Sequence, residues 1–214
     1  FNSVKEAGIE KIATVVGEKK EQIQEVLKDE TEYIYQEKVF GTGHAIIKSR
    51  EFLEGKNGKV LIINGSPRPR GNTKIALDEM VKIFDQEGIE SEIVHIGNKD
   101  IRGCIACMSC KTKLGHCVFD DCVNEIAQKF EEADGLVVGT PVYYGSANAT
   151  LIAFLTRLFY STPFDKTMKV GASAVVARRG GISSTYDEIN KFFAISGMPI
   201  ASSQYWNSIH GREM

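Results

Sequence analysis

Strand-like and helix-like patterns alternate along almost the whole of this 214-residue chain. Short apolar runs bounded by Gly or polar residues are typical of buried strands, and apolar residues at helical spacing are typical of helices that pack by one face. The predicted strands are 11–17, 32–36, 59–64, 91–96, 135–139, 169–177 and 200–205. The predicted helices are 18–28, 44–53, 73–86, 120–133, 149–160 and 186–196. This alternation predicts an α/β fold with a doubly wound parallel sheet.

A doubly wound sheet places its ligand sites along one edge. Right-handed crossovers bring the loops that follow the strands to the carboxyl edge, where ligands bind. Such a sheet also needs a helix after its last strand, and the chain ends soon after residue 205. We therefore expect one sheet face to keep uncovered apolar surface unless another segment fills the gap.

Composition argues against several classes of function. The 26 basic and 28 acidic residues give a net charge of −2, whereas a nucleic-acid or membrane-surface binder needs a basic stripe. No apolar run approaches the roughly 20 residues of a membrane span. Four of the five cysteines are clustered, which favours a reducing cytoplasm over a secreted disulfide scaffold.

The first candidate cofactor loop, GSPRPRGNT at 65–73, follows the strongest predicted strand and precedes a helix. Gly65 and Gly71 allow the backbone to turn tightly and to approach a ligand closely. The helix N-terminus adds N–H groups and a positive dipole, which suit a phosphate, and arginines can add charge-assisted contacts. The loop matches neither G-x-x-x-x-G-K-[ST] nor G-x-G-x-x-G, so an ordinary polar turn remains the alternative.

Four cysteines follow within fourteen residues, with the spacing C-x2-C-x2-C-x6-C. They are Cys104, Cys107, Cys110 and Cys117. Three thiolates on one compact loop are what iron–sulfur ligation requires, and Cys117 would be the fourth ligand. Zinc is a competing hypothesis, because four thiolates also form a closed structural site.

Residues 59–211 resemble the NADPH-dependent FMN reductase and iron–sulfur flavoprotein group of the flavodoxin-like superfamily. The resemblance is carried by GSPRPRGNT, the cysteine run, TPVYYGSAN at 140–148, and ARRGG at 177–181 before a helix. It implies a flavodoxin-like three-layer sandwich, an FMN cofactor, NAD(P)H as co-substrate, and assembly as a homodimer or homotetramer. The iron–sulfur flavoproteins of the group carry a [4Fe-4S] cluster. Cluster-free reductases keep a similar C-x2-C and a later G-x-C, so a site without metal is a third hypothesis.

The resemblance implies that the FMN phosphate binds the first loop, that the ring and ribityl chain lie along the second, and that the third borders the ring. Tyr143 and Tyr144 offer flat apolar faces with hydroxyl tips, although two tyrosines packed in a core are the alternative. The predicted cofactor-binding residues are Ser66, Arg68, Arg70, Asn72 and Thr73 in the first loop, Pro141, Val142, Tyr143, Tyr144, Gly145 and Ser146 in the second, and Ala177, Arg178, Arg179 and Gly180 in the third.

The first sixty residues resemble a different family, the uridyltransferase domain of the bifunctional N-acetylglucosamine-1-phosphate uridyltransferase, over about residues 3–65. In that family Gln36 and the Gly41–Thr42 pair would face uracil. The glycine-rich nucleotide loop is absent, and Ser66 stands where the family has a metal-binding Asp. Without metal and triphosphate sites, nucleotidyl transfer has no catalyst.

The two resemblances meet on the strand 59–65, which predicts a chimera. Residues 1–58 are predicted to be an α/β extension that packs on the core, with its strands extending the sheet. Residues 59–214 are predicted to be a flavodoxin-like FMN-binding domain that lacks its last helix.

The predicted function is an FMN-dependent oxidoreductase that passes electrons from NAD(P)H or a redox partner to a small-molecule or protein acceptor. The flavin carries the chemistry, so no catalytic side chain is assigned. A cluster, if bound, would relay single electrons. The alternatives are a chimeric scaffold that binds FMN without turnover and a sugar-nucleotide transferase.

Overall fold

The computed structural model describes residues 1–6, 8–38, 57–203 and 206–211. The chain divides into two compact units, Phe1–Lys56 and Asn57–Met214. Among the described residues, no helix is long and apolar enough to cross a membrane.

The first unit contains two short parallel strands. Its elements are α1 (Asn2–Glu6), β1 (Ala13–Val16), α2 (Lys20–Leu27) and β2 (Glu32–Tyr35). β1 and β2 pair in parallel, and Thr14 and Thr31 share a hydroxyl hydrogen bond of 2.9 Å. In the described part of the chain these strands pair only with each other, so the prediction that they extend the larger sheet is wrong. The predicted helix 44–53 and the Gly41–Thr42 pair lie outside the described residues.

The second unit is built on a sheet of five parallel strands. They are β3 (Lys59–Asn64), β4 (Glu90–His95), β5 (Gly135–Tyr143), β7 (Val170–Ala177) and β8 (Ser208–His210), in the order β4-β3-β5-β7-β8. A two-residue strand, β6 (Ser146–Ala147), folds back antiparallel on the end of β5. Counted within the unit, the parallel order is 2-1-3-4-5, which is the flavodoxin-like order. The predicted doubly wound α/β fold is confirmed.

Helices cover the two faces of this sheet unequally. The helices are α3 (Asn72–Gln86), α4 (Cys122–Glu132), α5 (Ala149–Ser161) and α6 (Ile182–Ile195), with a π-helical turn at Cys110–Leu114. α4, α5 and α6 share one large core, in which Phe130, Phe154 and Phe193 are fully buried. α3 covers the other face with a smaller core around Leu77.

The α3 side keeps apolar surface in contact with solvent. Ile75 and Ile83 on α3 are 53 % and 55 % exposed. A groove of about 820 Å³ runs between α3 and β8 and is bordered by Trp206 and Ile209.

Three predicted boundaries need correction. The predicted strand 200–205 is wrong over its described residues, where Ile200 forms only an isolated bridge to Gly171; the last strand is β8. The Asn207 side chain bonds the Ser203 N–H and the Ala201 carbonyl. α6 begins at Ile182 rather than at 186, directly after a left-handed glycine.

β5 ends at Tyr143, four residues past its predicted end at 139, and the added stretch includes Pro141. The Gly139 carbonyl accepts the Gly65 N–H at 2.8 Å, so the backbone polar groups of Gly139 face β3. Pro141 faces the same side by two-residue alternation, but it lies beyond the last residue of β3 that pairs with β5. Its missing N–H therefore costs the sheet no hydrogen bond, and the strand can continue.

Candidate functional site

A cleft opens at the carboxyl edge of β3, β5 and β7, where all three predicted loops meet. It is lined by Ser66, Arg68, Gly71, Asn72, Thr73, Pro141, Val142, Tyr143, Val176, Ala177, Arg178 and Gly211. Two of these described lining residues are arginines and none is acidic, which suits an anionic ligand. The predicted residues outside this lining are Arg70, Tyr144, Gly145, Ser146, Arg179 and Gly180.

The first loop presents a helix N-terminus to the cleft. Gly71 is the N-cap of α3 and has no side chain with which to cap the first turn of the helix. Ser66 donates its N–H to Asn64 Oδ1 at 3.0 Å, and its Oγ accepts the Arg68 N–H at 3.2 Å. Asn64 Nδ2 is buried without a hydrogen-bond partner among the described residues. The loop is thus pre-shaped, and the uncapped N-terminus of α3 gives it N–H donors for an anion.

Three residues that were not predicted from the sequence contact the backbone of this loop and fix its position. His95 Nε2 donates to the Ser66 carbonyl at 2.7 Å. Asn148 Nδ2 donates to the Gly65 carbonyl at 2.7 Å and to the Gly97 carbonyl at 3.2 Å. A Cβ on Gly97 would lie 2.2 Å from the Ser66 carbonyl group, so the two backbones are in tight contact. The available signals were the position of His95 at a predicted strand end and that of Asn148 at the end of TPVYYGSAN.

The second loop is a tight β-hairpin. Tyr143 pairs with Ser146, and the two residues between them have positive φ, 55° at Tyr144 and 81° at Gly145. Positive φ at both central positions is typical of a type I′ turn, and it is uncommon for tyrosine. The Tyr144 side chain is fully exposed at the tip. The Ser146 hydroxyl donates to the Glu188 carboxylate at 2.8 Å, so this predicted ligand is already engaged within the protein.

The third loop packs directly on the second. Gly181, the N-cap of α6, has φ 93°. A Cβ there would lie 2.9 Å from both Gly145 Cα and Val142 Cγ1. The two loops can approach this closely only because residue 181 has no side chain.

The four clustered cysteines line a second, smaller cavity together with Met108, Arg157 and Tyr160. All are free thiols; Cys104 and Cys107 are exposed and Cys117 is buried. Among the described residues, no three His, Cys, Asp or Glu side chains are grouped closely enough to hold a metal ion.

The thiols of this region differ in acidity. The Ser109 N–H hydrogen-bonds the Cys107 sulfur and lowers the pKa of that exposed thiol. Burial raises the pKa of Cys122, which begins α4 and does not line the cysteine cavity. Cys107 is therefore the better candidate for a thiolate ligand.

Arg157 on α5 ties the cysteine loop to the core. It is 1 % exposed, and its guanidinium pairs with both Asp121 oxygens at 2.6 and 2.9 Å. Its Nε donates to Cys117 Sγ at 3.2 Å, and Nη1 donates to the Arg102 carbonyl at 3.3 Å. Burial lowers the pKa of Arg157, but the hydrogen bonds to Asp121 and Cys117 outweigh it, so the pKa lies above its ordinary value. No sequence signal identified this residue.

Part of the chain is similar to a bifunctional protein. Over 65 residues it is 43 % identical to the bifunctional protein GlmU of Acetivibrio thermocellus, which covers 30 % of this chain and 14 % of that protein. The predicted partial resemblance is confirmed, and it concerns only a small part of that relative.

A larger part is similar to flavoproteins. An iron-sulfur flavoprotein of Methanocaldococcus jannaschii is 40 % identical over 146 residues, which is 65 % of this chain and 74 % of that protein. The NAD(P)H:quinone oxidoreductase of Methanothermobacter marburgensis has the same fold, with a TM-score of 0.56 and 14 % identity over 69 % of this chain and 83 % of that chain. The model of the family described as NADPH-dependent FMN reductase matches residues 58–212. The chain therefore belongs to the NADPH-dependent FMN reductase family.

Proposed function

We propose that this protein binds FMN in the cleft at the carboxyl edge and transfers electrons from NAD(P)H or a redox partner to an acceptor. The observation that carries the proposal is the meeting of three loops, from different strands, in one cleft with two arginines and no carboxylate among its described lining residues. The cleft opens at the switch point between the first and third strands of a flavodoxin-like sheet, where such folds bind FMN.

The first loop fits a phosphate. The uncapped first turn of α3 supplies N–H groups and a positive dipole, and Arg68 and Arg178 supply positive charge.

The second loop fits a planar ring. Pro141, Val142 and Tyr143 give the cleft an apolar wall, and Gly181 lets the third loop close against it. Bound FMN would supply hydride and single-electron chemistry, while the chain binds, orients and partly desolvates it.

The cysteine cavity supports a second, related activity, which is single-electron relay through a [4Fe-4S] cluster. Its basis is the sharing of one cavity by Cys104, Cys107, Cys110 and Cys117. The relatives named iron-sulfur flavoproteins point the same way. Assembly as a dimer or tetramer, and a protein partner as electron donor or acceptor, remain predictions of the resemblance.

Reconstitution tests both cofactors in one protein. We expect the purified chain to quench FMN fluorescence stoichiometrically and, after anaerobic addition of iron and sulfide, to show a broad iron–sulfur absorption beside the flavin bands. Cys110→Ser should lose the iron and keep FMN, whereas Cys122→Ser, outside the cavity, should keep both. A wild-type protein that never binds FMN would refute the proposed function. NADPH oxidation by the FMN-loaded protein then separates an enzyme from a scaffold that only binds FMN.

The packing of residues 1–58 on the flavin-binding domain stays a prediction of the sequence, and a shortened chain tests it. Removal of residues 1–40 should then lower the melting temperature, by roughly 2–4 °C for each kcal/mol of lost packing. Unchanged melting of the shortened chain would rule the packing out.

A further inference from the structure

Glu188 connects α6 to the hairpin of the second loop. The Ser146 hydroxyl lies 2.8 and 3.0 Å from the two carboxylate oxygens of Glu188. The Ala147 N–H donates to the same carboxylate at 2.9 Å. Glu188 is partly buried in the middle of α6, so it caps no helix end, and both donors come from a segment about forty residues earlier in the chain.

Two further contacts join the same elements. The Ser184 hydroxyl donates to the Gly145 carbonyl at 2.9 Å. Gly181 presses on Gly145 and Val142, as described for the third loop. The first two turns of α6 therefore hold the hairpin at three separate positions.

The hairpin needs this support because its own pairing is minimal. β6 has two residues and pairs with β5 only at Val142–Ala147 and Tyr143–Ser146. A two-stranded hairpin of this length is not stable by itself in water. The same support reaches the phosphate loop. Ala147 is followed directly by Asn148, whose side-chain amide donates to the Gly65 carbonyl of that loop.

We propose that Glu188 is a positioning residue for the flavin, acting through Ser146 and Ala147 to fix the hairpin along which the ring lies. The inference rests on the proposed FMN site. The carboxylate holds the hairpin backbone in place before the cofactor binds, and its negative charge disfavours added electron density on a ring held nearby. Loss of the carboxylate thus weakens binding and favours the reduced flavin.

Glu188→Gln is the test, with Asp187→Asn as the matched control. The amide introduced by Glu188→Gln keeps the shape of the side chain but loses the charge and one acceptor, whereas Asp187 is exposed on the same helix. For Glu188→Gln we expect FMN binding about tenfold weaker, since a hydrogen bond to a charged group is lost, and a more positive midpoint potential of the bound flavin. Asp187→Asn should match the wild type in both. Fluorescence titration gives the Kd, and spectroelectrochemistry gives the potential.

A second measurement does not depend on FMN. Chymotrypsin should cut the apoprotein of Glu188→Gln after Tyr143 or Tyr144 several-fold faster than wild type, because the released hairpin opens more often. If Glu188→Gln fails to fold, Ser146→Ala, which removes one donor and keeps the Glu188 charge, should show the weaker FMN binding and the faster cleavage to a smaller degree.

The outcomes distinguish the positioning role of Glu188 from the proposed binding of FMN in the cleft. Wild-type Kd and potential in Glu188→Gln, with FMN bound by the wild type, overturn the positioning role alone. Weaker binding with an unchanged potential and a lowered melting temperature also overturns it, since this indicates general support of the fold. A wild-type protein that binds no FMN overturns the proposed function and this inference together.

Discussion

Arg157→Met is expected to destabilise the flavin-binding domain by about 3 kcal/mol, the lower part of the range for breaking one side of a buried ion pair. The substitution leaves Asp121 without its bidentate partner and leaves the Arg102 carbonyl and Cys117 without a donor. The Asp121 side chain is 23 % exposed, so water offsets part of the loss. A loss of this size is a large fraction of the roughly 5–15 kcal/mol that stabilises a typical protein. Urea unfolding of the apoprotein measures it.

Two variants control for this effect. In the double variant Arg157→Met with Asp121→Asn, no uncompensated charge remains, so it should be less destabilised than Arg157→Met alone. Lys82→Met breaks the Lys82–Glu79 pair, whose side chains are both 63 % exposed, and should change stability by less than about 0.5 kcal/mol. An Arg157→Met protein as stable as Lys82→Met would show that the buried pair contributes nothing.

Gly97→Ala is expected to displace the phosphate loop and to weaken FMN binding by at least about tenfold. The added Cβ would lie 2.2 Å from backbone atoms of Ser66 and 2.5 Å from the Gly65 carbonyl, so a backbone must move. Overpacking of this kind also lowers stability, typically by about 1–3 kcal/mol. FMN titration and urea unfolding of the same variant measure the two effects.

Gly103→Ala is the matched control, because a Cβ at Gly103 meets nothing within 4 Å. It should bind FMN as the wild type does. If Gly97→Ala also binds FMN normally, the loop that carries Ser66 is either adaptable or not the phosphate site, and crystals grown with FMN would show which.

The elements that were predicted well are those whose signal is local and repeated. The run KVLIIN predicts β3 at its observed bounds, because a strand buried on both faces is continuously apolar. The last strand was misplaced because residues 200–205 have strand-like composition, whereas β8 has three residues and too little pattern to detect. The early start of α6 was missed because Ser183 and Ser184 carry no apolar periodicity.

The candidate site likewise has a part that the sequence predicts and a part that it does not. Its three loops could be predicted, since Gly and polar residues that follow strands are visible in any doubly wound sequence. The residues that support the loops could not, because their partners are distant in the chain. Glu188 accepts a hydrogen bond from Ala147, 41 residues earlier, and Arg157 donates one to Cys117, 40 residues earlier. No local sequence pattern predicts either contact. These supporting residues are recognised by their charge and burial in the folded structure, and not by their spacing in the sequence.

The unequal cover of the sheet determines where this domain opens first. Sub-global opening costs least where the fewest apolar contacts break. Only a small core lies beneath α3, and β8 is short and at the sheet edge, whereas β5 is enclosed by strands on both sides. Backbone amides of β8 therefore exchange with deuterium ahead of those of β5. The cleft borders the end of β5 on one side and, on the other, Gly211, which directly follows the faster-exchanging β8.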